Sequence, residues 1–165
     1  MTHADSNRPD VRGNATAGVI APPPVLFGAA LLIALLLHEL HPLPIAPPSG
    51  WPRLLGIPAI VLGLLLSGWV IRAFGRAATP VPPYRPTRRL VVDGPYRYTR
   101  NPDYVGQTLT YLGIALVARS GWALLILPLV LFAVQHGVVR REERYLETRF
   151  GQPYRDYMAR VRRWL

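Results

Sequence analysis

Residues 122–144 read WALLILPLVLFAVQHGVVRREER, an apolar block that ends abruptly in a run of charges. The apolar part, Trp122 to Val139, has about the length that a helix needs to cross a hydrocarbon core of roughly 30 Å. Three similar blocks precede it in the chain: Val25–Leu40, Leu54–Ile71 and Tyr104–Ala118. The sequence therefore predicts an all-α integral membrane protein with about four transmembrane helices.

The composition of the whole chain agrees with this class. The chain has 165 residues, of which 50% are hydrophobic, a net charge of +10 and a mean hydropathy of +0.19. A soluble domain that is rich in both apolar and charged residues has too little neutral polar surface, so a single soluble core is excluded. The chain has no cysteine, which excludes disulfides, thiolate metal sites and thiol nucleophiles.

The arginines predict the orientation in the membrane. The short links between the first and second and between the third and fourth blocks contain only Arg53 and Arg119. The other arginines lie in three regions: the N-terminal tail, residues 72–100 and residues 140–165. By the positive-inside rule these regions and both termini are cytoplasmic. We expect a flexible cytoplasmic tail over residues 1–21 and a single membrane domain over residues 22–165, facing anionic lipid and not nucleic acid.

The third and fourth predicted spans are joined so tightly that they must form a helical hairpin. The link between them is Arg119-Ser120-Gly121. On the third span, Gly106, Thr110 and Gly113 fall at i, i+4 and i+7, which gives a face of small residues. Such a face allows another helix to approach closely, and we interpret it as a packing surface.

The first polar cluster leads into the third span and reads GPYRYTRNPDY over residues 94–104. Pro102 sits near the first helical turn, where its missing N–H costs nothing. Exposed N–H groups at this helix start, with Arg97 and Arg100 beside them, form a site that attracts carboxylate or phosphate. The alternative is an interfacial belt in which Tyr and Arg anchor the helix end among lipid headgroups.

The second polar cluster lies where the fourth span ends. On a continuous α-helix His136, Arg140 and Glu143 share one face, and Gln135 and Glu142 share another. Adjacent acidic groups are costly at the C-terminal end of an apolar helix. Either flanking arginines neutralise these glutamates, or at least one carboxylate holds a cationic or hydroxyl-rich ligand.

The third polar cluster predicts a C-terminal amphipathic helix. Tyr154, Tyr157, Val161 and Trp164 recur at helical spacing, and most of the nearby arginines lie elsewhere on the helix. We expect this helix to lie on the membrane surface, where it could also cover a cytoplasmic pocket.

No metal site is predicted. His38, Glu39 and His41 lie close together near the end of the first span. The zincin pattern places its second histidine at the position that Pro42 occupies, so these residues do not match it.

Together the three polar clusters resemble the isoprenylcysteine carboxyl methyltransferase and phospholipid methyltransferase superfamily. The resemblance covers about residues 74–164 and keeps the order and spacing of three motifs: GPYRYTRNP at 94–102 with Tyr104 and Gly106, Glu142-Glu143 with Leu146, and Phe150-Gly151 with Tyr154 and Tyr157. It implies a small helical membrane enzyme that binds S-adenosylmethionine at the cytoplasmic face, under its C-terminal segment. The methyl acceptor would reach the site from the lipid.

The resemblance also implies roles for individual residues. The cofactor pocket would be formed by Arg100, Asn101, Pro102, Tyr104, Glu142, Glu143, Tyr154 and Tyr157. We add His136 from its predicted helical face. Arg97 or Arg100 would position a carboxylate acceptor, because arginine is permanently charged and binds carboxylates with two hydrogen bonds. Glu143 or His136 would remove the proton from an amine or thiol acceptor.

The chain departs from the family pattern at two positions. Many members have histidine where this chain has Asn101, and an apolar or small residue is commoner at Asp103. Both departures bear on the acceptor more than on the cofactor. A prenylated cysteine, a phospholipid amine, a small thiol and an isoprenoid acid all fit a lipid-facing pocket.

The leading hypothesis is therefore an S-adenosylmethionine-dependent methyltransferase of a bacterial cytoplasmic membrane that transfers methyl to the carboxylate of a lipophilic, for example prenylated, acceptor. Three alternatives stay open: a phospholipid-amine or small-thiol methyltransferase, an NADPH-dependent membrane reductase, and a non-catalytic lipid-binding membrane protein.

Overall fold

A computed structural model describes residues 18–45, 50–77 and 89–165 of the chain. Within these ranges the protein is helical and contains no β-strand. The predicted N-terminal tail lies outside the described residues up to residue 17, as do residues 78–88 of the connection between the second and third blocks. The helices are α1 Pro23–Leu40, α2 Trp51–Arg76, α3 Pro102–Val117, α4 Gly121–Val134, α5 Arg140–Phe150 and α6 Gln152–Arg160.

Three helices are long and apolar enough to cross a membrane. They are α1, α2 and the continuous helical stretch Gly121–Phe150, which contains α4 and α5. The fourth predicted span corresponds to this stretch, and the third corresponds to α3, which has 16 residues. A helix of that length is about 24 Å long, shorter than a typical hydrocarbon core. Length and composition thus support three of the four predicted spans.

The helices are arranged in two closely packed pairs. α1 packs along α4, and α2 packs along α3. The predicted hairpin between α3 and α4 is confirmed, because α3 ends at Val117, α4 begins at Gly121 and the two helices contact each other. The Ser120 side chain accepts a hydrogen bond from the Ala123 N–H at 3.2 Å, which satisfies one of the free donors of the first turn.

The described part of the first short link, residues 41–45, lies beside the second link at the end of the bundle away from the polar clusters. The Gly121 N–H donates to the Leu43 carbonyl at 2.7 Å, and the Ile45 N–H donates to the Arg119 carbonyl at 3.1 Å. This pairing agrees with the arginine pattern, which assigned both links to one side of the membrane.

The predicted face of small residues on α3 is the surface that contacts α2. A Cβ atom on Gly113 would lie 2.6 Å from the Gly56 carbonyl oxygen, and one on Gly106 would lie 2.9 Å from the Gly63 carbonyl oxygen. Glycine is therefore required here by the close approach of two backbones.

Replacing Gly113 by alanine should weaken the α2–α3 contact. The new methyl group has no space beside Gly56, so we expect a loss of about 1–3 kcal/mol of stability, the usual range for overpacking. Thermal unfolding in detergent measures this effect. Gly68 of α2 is the matched control, because nothing lies within 4 Å of its Cβ position. Equal unfolding midpoints for the two alanine variants would contradict the close crossing.

A π turn separates α4 from α5. It covers Gln135–Val139 and contains Gly137, whose carbonyl accepts a hydrogen bond from the Ile20 N–H at 3.4 Å. A Cβ atom on Gly137 would meet the end of the Ile20 side chain, so a larger residue here would require that side chain to shift. Since a π turn changes the helical phase, the face predicted for a continuous α-helix does not continue from His136 to Glu143.

α5 and α6 are separated by a break at Gly151. Its backbone has φ 59° and ψ −126°, a conformation that residues other than glycine strongly disfavour. The predicted C-terminal helix extends only to Arg160, and the prediction was wrong from Val161 onward, where the backbone leaves the helical conformation (φ −120° and ψ 129° at Val161). Main-chain groups beyond this point bind to the segment before α3 in place of helical partners.

Candidate active site

Glu142 and Glu143 are adjacent in sequence but have different partners. Glu142 Oε2 accepts a hydrogen bond from the Tyr104 hydroxyl of α3 at 2.7 Å. In the part of the chain that the structure describes, no arginine forms an ion pair with Glu142. Its carboxylate therefore has a neutral donor but no cation to balance its charge.

Glu143 is bound by two arginines. Arg163 donates from Nε to Oε1 at 2.9 Å and from Nη2 to Oε2 at 2.8 Å, which is a two-point guanidinium–carboxylate pair. Arg100 approaches the same Oε1 with its Nη1 at 3.0 Å. The Arg100 and Glu143 side chains are 12% and 13% exposed, so this part of the cluster is shielded from water.

Arg100 has unused hydrogen-bonding capacity. Its Nε is buried and has no hydrogen-bond partner among the described residues. A buried donor without a partner is costly, and it is usually explained by a ligand or water that completes it. Arg100 is therefore the strongest candidate in this cluster for binding an anionic group.

The segment Arg162–Trp164, here called the strap, lies against the start of α3. The Arg163 carbonyl accepts hydrogen bonds from Asn101 Nδ2 at 2.9 Å and from Thr99 Oγ1 at 3.1 Å. The Arg162 carbonyl accepts one from the Arg100 N–H at 2.9 Å. These contacts join the polar segment before α3 to the end of the chain.

Two tyrosines of α6 pack against this cluster from the other side. Tyr154 and Tyr157 are 2% and 4% exposed, and the Tyr157 hydroxyl donates to the Tyr96 carbonyl at 2.8 Å. Burial raises the pKa of Tyr154 to about 12, although the neighbouring Arg100 cation lowers it. Burial also raises the pKa of Tyr157. Both phenols are therefore neutral at physiological pH.

A second carboxylate on α3 also has only neutral partners. Asp103 accepts a hydrogen bond from Gln107 Nε2 at 2.8 Å and another from Ser67 of α2. Within the described residues it forms no ion pair. Asp103 adds negative charge near Glu142.

Most of the predicted site residues are brought together, but two are exposed and form no hydrogen bond or ion pair with the cluster in the described part of the chain. Arg97 is exposed at the end of a short 3₁₀ turn, Gly94–Arg97. His136 is also exposed, its ring stacks on Phe132 with centroids 4.2 Å apart, and its Nδ1 lies 3.0 Å from the Phe132 carbonyl oxygen. The predicted residues that meet or line the cluster are Arg100, Asn101, Pro102, Tyr104, Glu142, Glu143, Tyr154 and Tyr157.

Sequence reasoning missed Thr99 and Arg163. Thr99 is 3% exposed, and its hydroxyl both accepts from the Asn101 N–H at 3.2 Å and donates to the Arg163 carbonyl. The sequence signal for Thr99 was its position within the motif GPYRYTRNP, next to Arg100. Arg163 had no such signal, because it is one of several arginines in a segment that was interpreted as a basic membrane surface.

Comparison with known proteins gives three informative relatives. A protein-S-isoprenylcysteine O-methyltransferase of Schizosaccharomyces pombe is 36% identical over 72 residues, which cover 44% of this chain and 30% of that protein. Protein-S-isoprenylcysteine O-methyltransferase B of Arabidopsis thaliana is 27% identical over 139 residues, 82% of this chain and 71% of that protein. An uncharacterized protein of Haemophilus influenzae is 39% identical over 62 residues, 38% of this chain and 78% of that protein.

No solved structure matches the chain. The family described as Phospholipid methyltransferase matches residues 51–153, which include α2, α3 and both glutamates of the cluster. Together with three helices able to span a membrane, this match indicates an integral membrane protein. The chain therefore belongs to the phospholipid methyltransferase family.

Proposed function

We propose that this chain is an S-adenosylmethionine-dependent membrane methyltransferase that methylates the carboxylate of a lipophilic acceptor. One observation carries the proposal: the polar motifs converge on a shielded cluster in which the buried Nε of Arg100 lacks an acceptor and, among the described residues, Glu142 lacks a cationic partner. The cluster therefore offers an unused cationic donor close to a carboxylate without an ion-pair partner, which suits a ligand that carries both charges.

The residues of the cluster fit S-adenosylmethionine. This cofactor carries a sulfonium, an ammonium and a carboxylate. Arg100 would bind the carboxylate, because its buried Nε and permanent charge suit an anion. Glu142 would balance the cationic charge, and the hydrogen bond from Tyr104 would hold its carboxylate in place. When bound, the cofactor supplies a methyl group activated by the positive charge on sulfur.

The remaining residues would shape the pocket and keep water out. Asn101 binds the strap with its side-chain amide, and Pro102 starts α3 as a buried residue of its first turn. Tyr154 and Tyr157 form a neutral, buried wall from α6. Exclusion of water and alignment of donor with acceptor are the main demands of methyl transfer.

A carboxylate acceptor suits the site because it needs no general base. A free carboxyl group is ionised at neutral pH, so it can attack the methyl group directly. The exposed Arg97 would guide it to the site from the membrane face. The names of the two isoprenylcysteine O-methyltransferase relatives support this acceptor class.

An amine acceptor is the second candidate, and Asp103 is the observation that favours it. Asp103 and Glu142 form no ion pair in the described parts of the chain, so no arginine there balances the negative charge of these two carboxylates. Such a site stabilises an ammonium, and Glu142 would accept its proton before methyl transfer.

The proposal includes a location and a topology. The site would face the cytoplasm of a bacterial cell, with both termini on that side of the inner membrane and α3 as a short fourth span. The distribution of arginine supports this orientation.

The acceptor class can be tested by the chemistry of the labelled product. Purified protein is incubated with methyl-labelled S-adenosylmethionine and vesicles that contain either farnesylated cysteine or phosphatidylethanolamine. We expect label on the farnesylated cysteine that alkali releases as volatile methanol, since a methyl ester is base-labile. Alkali-stable label on the phospholipid would instead support the amine candidate. Label in neither lipid, or thermal stabilisation by NADPH and not by S-adenosylmethionine, would contradict the proposal.

A further inference from the structure

We propose that Arg163 is a positioning residue that acts through Glu143 and keeps Arg100 available for the anionic group of a bound ligand. This inference rests on the proposed function, because the ligand is S-adenosylmethionine with its carboxylate. Arg163 lies beyond residues 51–153, the region that the family match covers. Its role is therefore inferred from the geometry of this chain.

The inference starts from the way in which two arginines share one carboxylate. Arg163 occupies both oxygens of Glu143 with its Nε and Nη2, at 2.9 and 2.8 Å. Arg100 makes a single approach, from Nη1 to Oε1 at 3.0 Å, and its Nε stays without a partner. A two-point pair is the stronger arrangement, so Arg163 holds the position that Arg100 would otherwise take.

Without Arg163 the charge balance of the cluster changes. In the unaltered protein the guanidinium groups of Arg100 and Arg163 share the Glu143 carboxylate. One of the two positive charges is therefore left for a ligand. If the Arg163 side chain is removed, Glu143 can pair with Arg100 alone, and both of these side chains are mostly shielded from water in the unaltered protein. Shielding strengthens that pair, and Glu143 then competes with the carboxylate of the ligand for Arg100.

The strap keeps Arg163 in place through groups other than its own side chain. The Arg163 carbonyl is bound by Thr99 Oγ1 and Asn101 Nδ2. The neighbouring Trp164 donates from Nε1 to Gln135 Oε1 at 3.1 Å. These contacts persist when the side chain is shortened, so an alanine variant at Arg163 should leave the strap seated.

The test compares two ligands that differ only in the group that Arg100 would bind. Binding of S-adenosylmethionine and of its decarboxylated analogue is measured by calorimetry in detergent. We expect Arg163→Ala to weaken binding of S-adenosylmethionine by about tenfold and to change binding of the analogue by less than about twofold. Arg163→Lys keeps the charge but not the two-point geometry, so its loss should be intermediate.

The matched control is Arg160→Ala. Arg160 is exposed on α6, and among the described residues its Nε donates to the Asp156 carbonyl within the same helix. Both ligands should bind this variant as they bind the unaltered protein. Thermal unfolding of each variant shows whether it is folded. If Arg163→Ala is not folded, the same comparison of the two ligands is made with Arg163→Lys.

Each outcome decides the matter. If Arg163→Ala weakened binding of both ligands equally, Arg163 would have only a structural role. If binding of both ligands were unchanged, Arg163 would have no role in binding. Either result overturns the inference. Failure of the unaltered protein to bind S-adenosylmethionine would instead overturn the proposed function, and the two failures are distinguishable.

Discussion

Replacing Glu142 by glutamine should weaken S-adenosylmethionine binding by about a hundredfold and at the same time raise the stability of the protein. Glutamine has nearly the same shape and can still accept the hydrogen bond from Tyr104, so the local geometry is preserved. What is lost is a negative charge that has no cationic partner within the described residues. Removal of an uncompensated charge from a shielded position favours folding, whereas a cationic ligand loses its counter-charge.

Calorimetry and thermal unfolding in the same detergent measure the two effects. Glu147→Gln is the matched control, since Glu147 is 44% exposed and lies 3.7 Å from Arg155 in a surface ion pair. Surface pairs of this kind contribute little, so both measurements should stay close to those of the unaltered protein. A Glu142→Gln variant that binds the cofactor normally, or that unfolds at a lower temperature, would exclude the assigned role.

The second large effect is expected at Arg100. Arg100→Ala removes the group that would bind the carboxylate of the cofactor, so affinity for S-adenosylmethionine should fall by about a hundredfold. Glu143 keeps its two-point pair with Arg163, and the strap keeps its bond to the Arg100 main chain, so the fold should survive.

The ligand comparison makes this prediction specific. Decarboxylated S-adenosylmethionine should bind the Arg100→Ala variant and the unaltered protein with affinities within about threefold of each other, because it has no carboxylate for Arg100 to bind. Arg155→Ala is the control, since Arg155 is half exposed and pairs only at the surface. If Arg100→Ala weakened both ligands equally, Arg100 would be acting on the fold of the pocket and not on the carboxylate.

Features that depend on local patterns were predictable from the sequence. The apolar blocks predicted α1 and the central part of α2, and the three-residue link predicted the hairpin between α3 and α4. The small residues of α3 correctly indicated a close helix crossing, although they did not identify α2 as the partner. Each of these signals lies within a few residues of the structure that it specifies.

The sequence could not predict which side chains of residues 135–143 face the site. A single π turn over Gln135–Val139 is enough to move His136 to an exposed face while Glu142 meets Tyr104. The only local trace of this turn is Gly137, whose missing side chain leaves room for Ile20. That reason depends on a contact between residues that are more than a hundred positions apart, which no helical periodicity contains.

The strap was missed for a related reason. Spacing of apolar residues favoured a helix that continues past Arg160, but hydrogen bonds from Arg100, Thr99 and Asn101 to the main-chain carbonyls favour a non-helical segment. Such long-range partners outweigh a weak local preference. For the same reason the sequence did not single out Arg163 from the neighbouring arginines.

The central claim is that the segment before α3, the start of α5 and the strap enclose one site for S-adenosylmethionine. Ultraviolet crosslinking of the radiolabelled cofactor, followed by peptide mapping, tests it most directly. The account predicts saturable label, displaced by unlabelled cofactor, on peptides from residues 98–104, 141–144 and 154–164. Label on the link at residues 41–45 or on the α3–α4 hairpin, at the opposite end of the bundle, would contradict it.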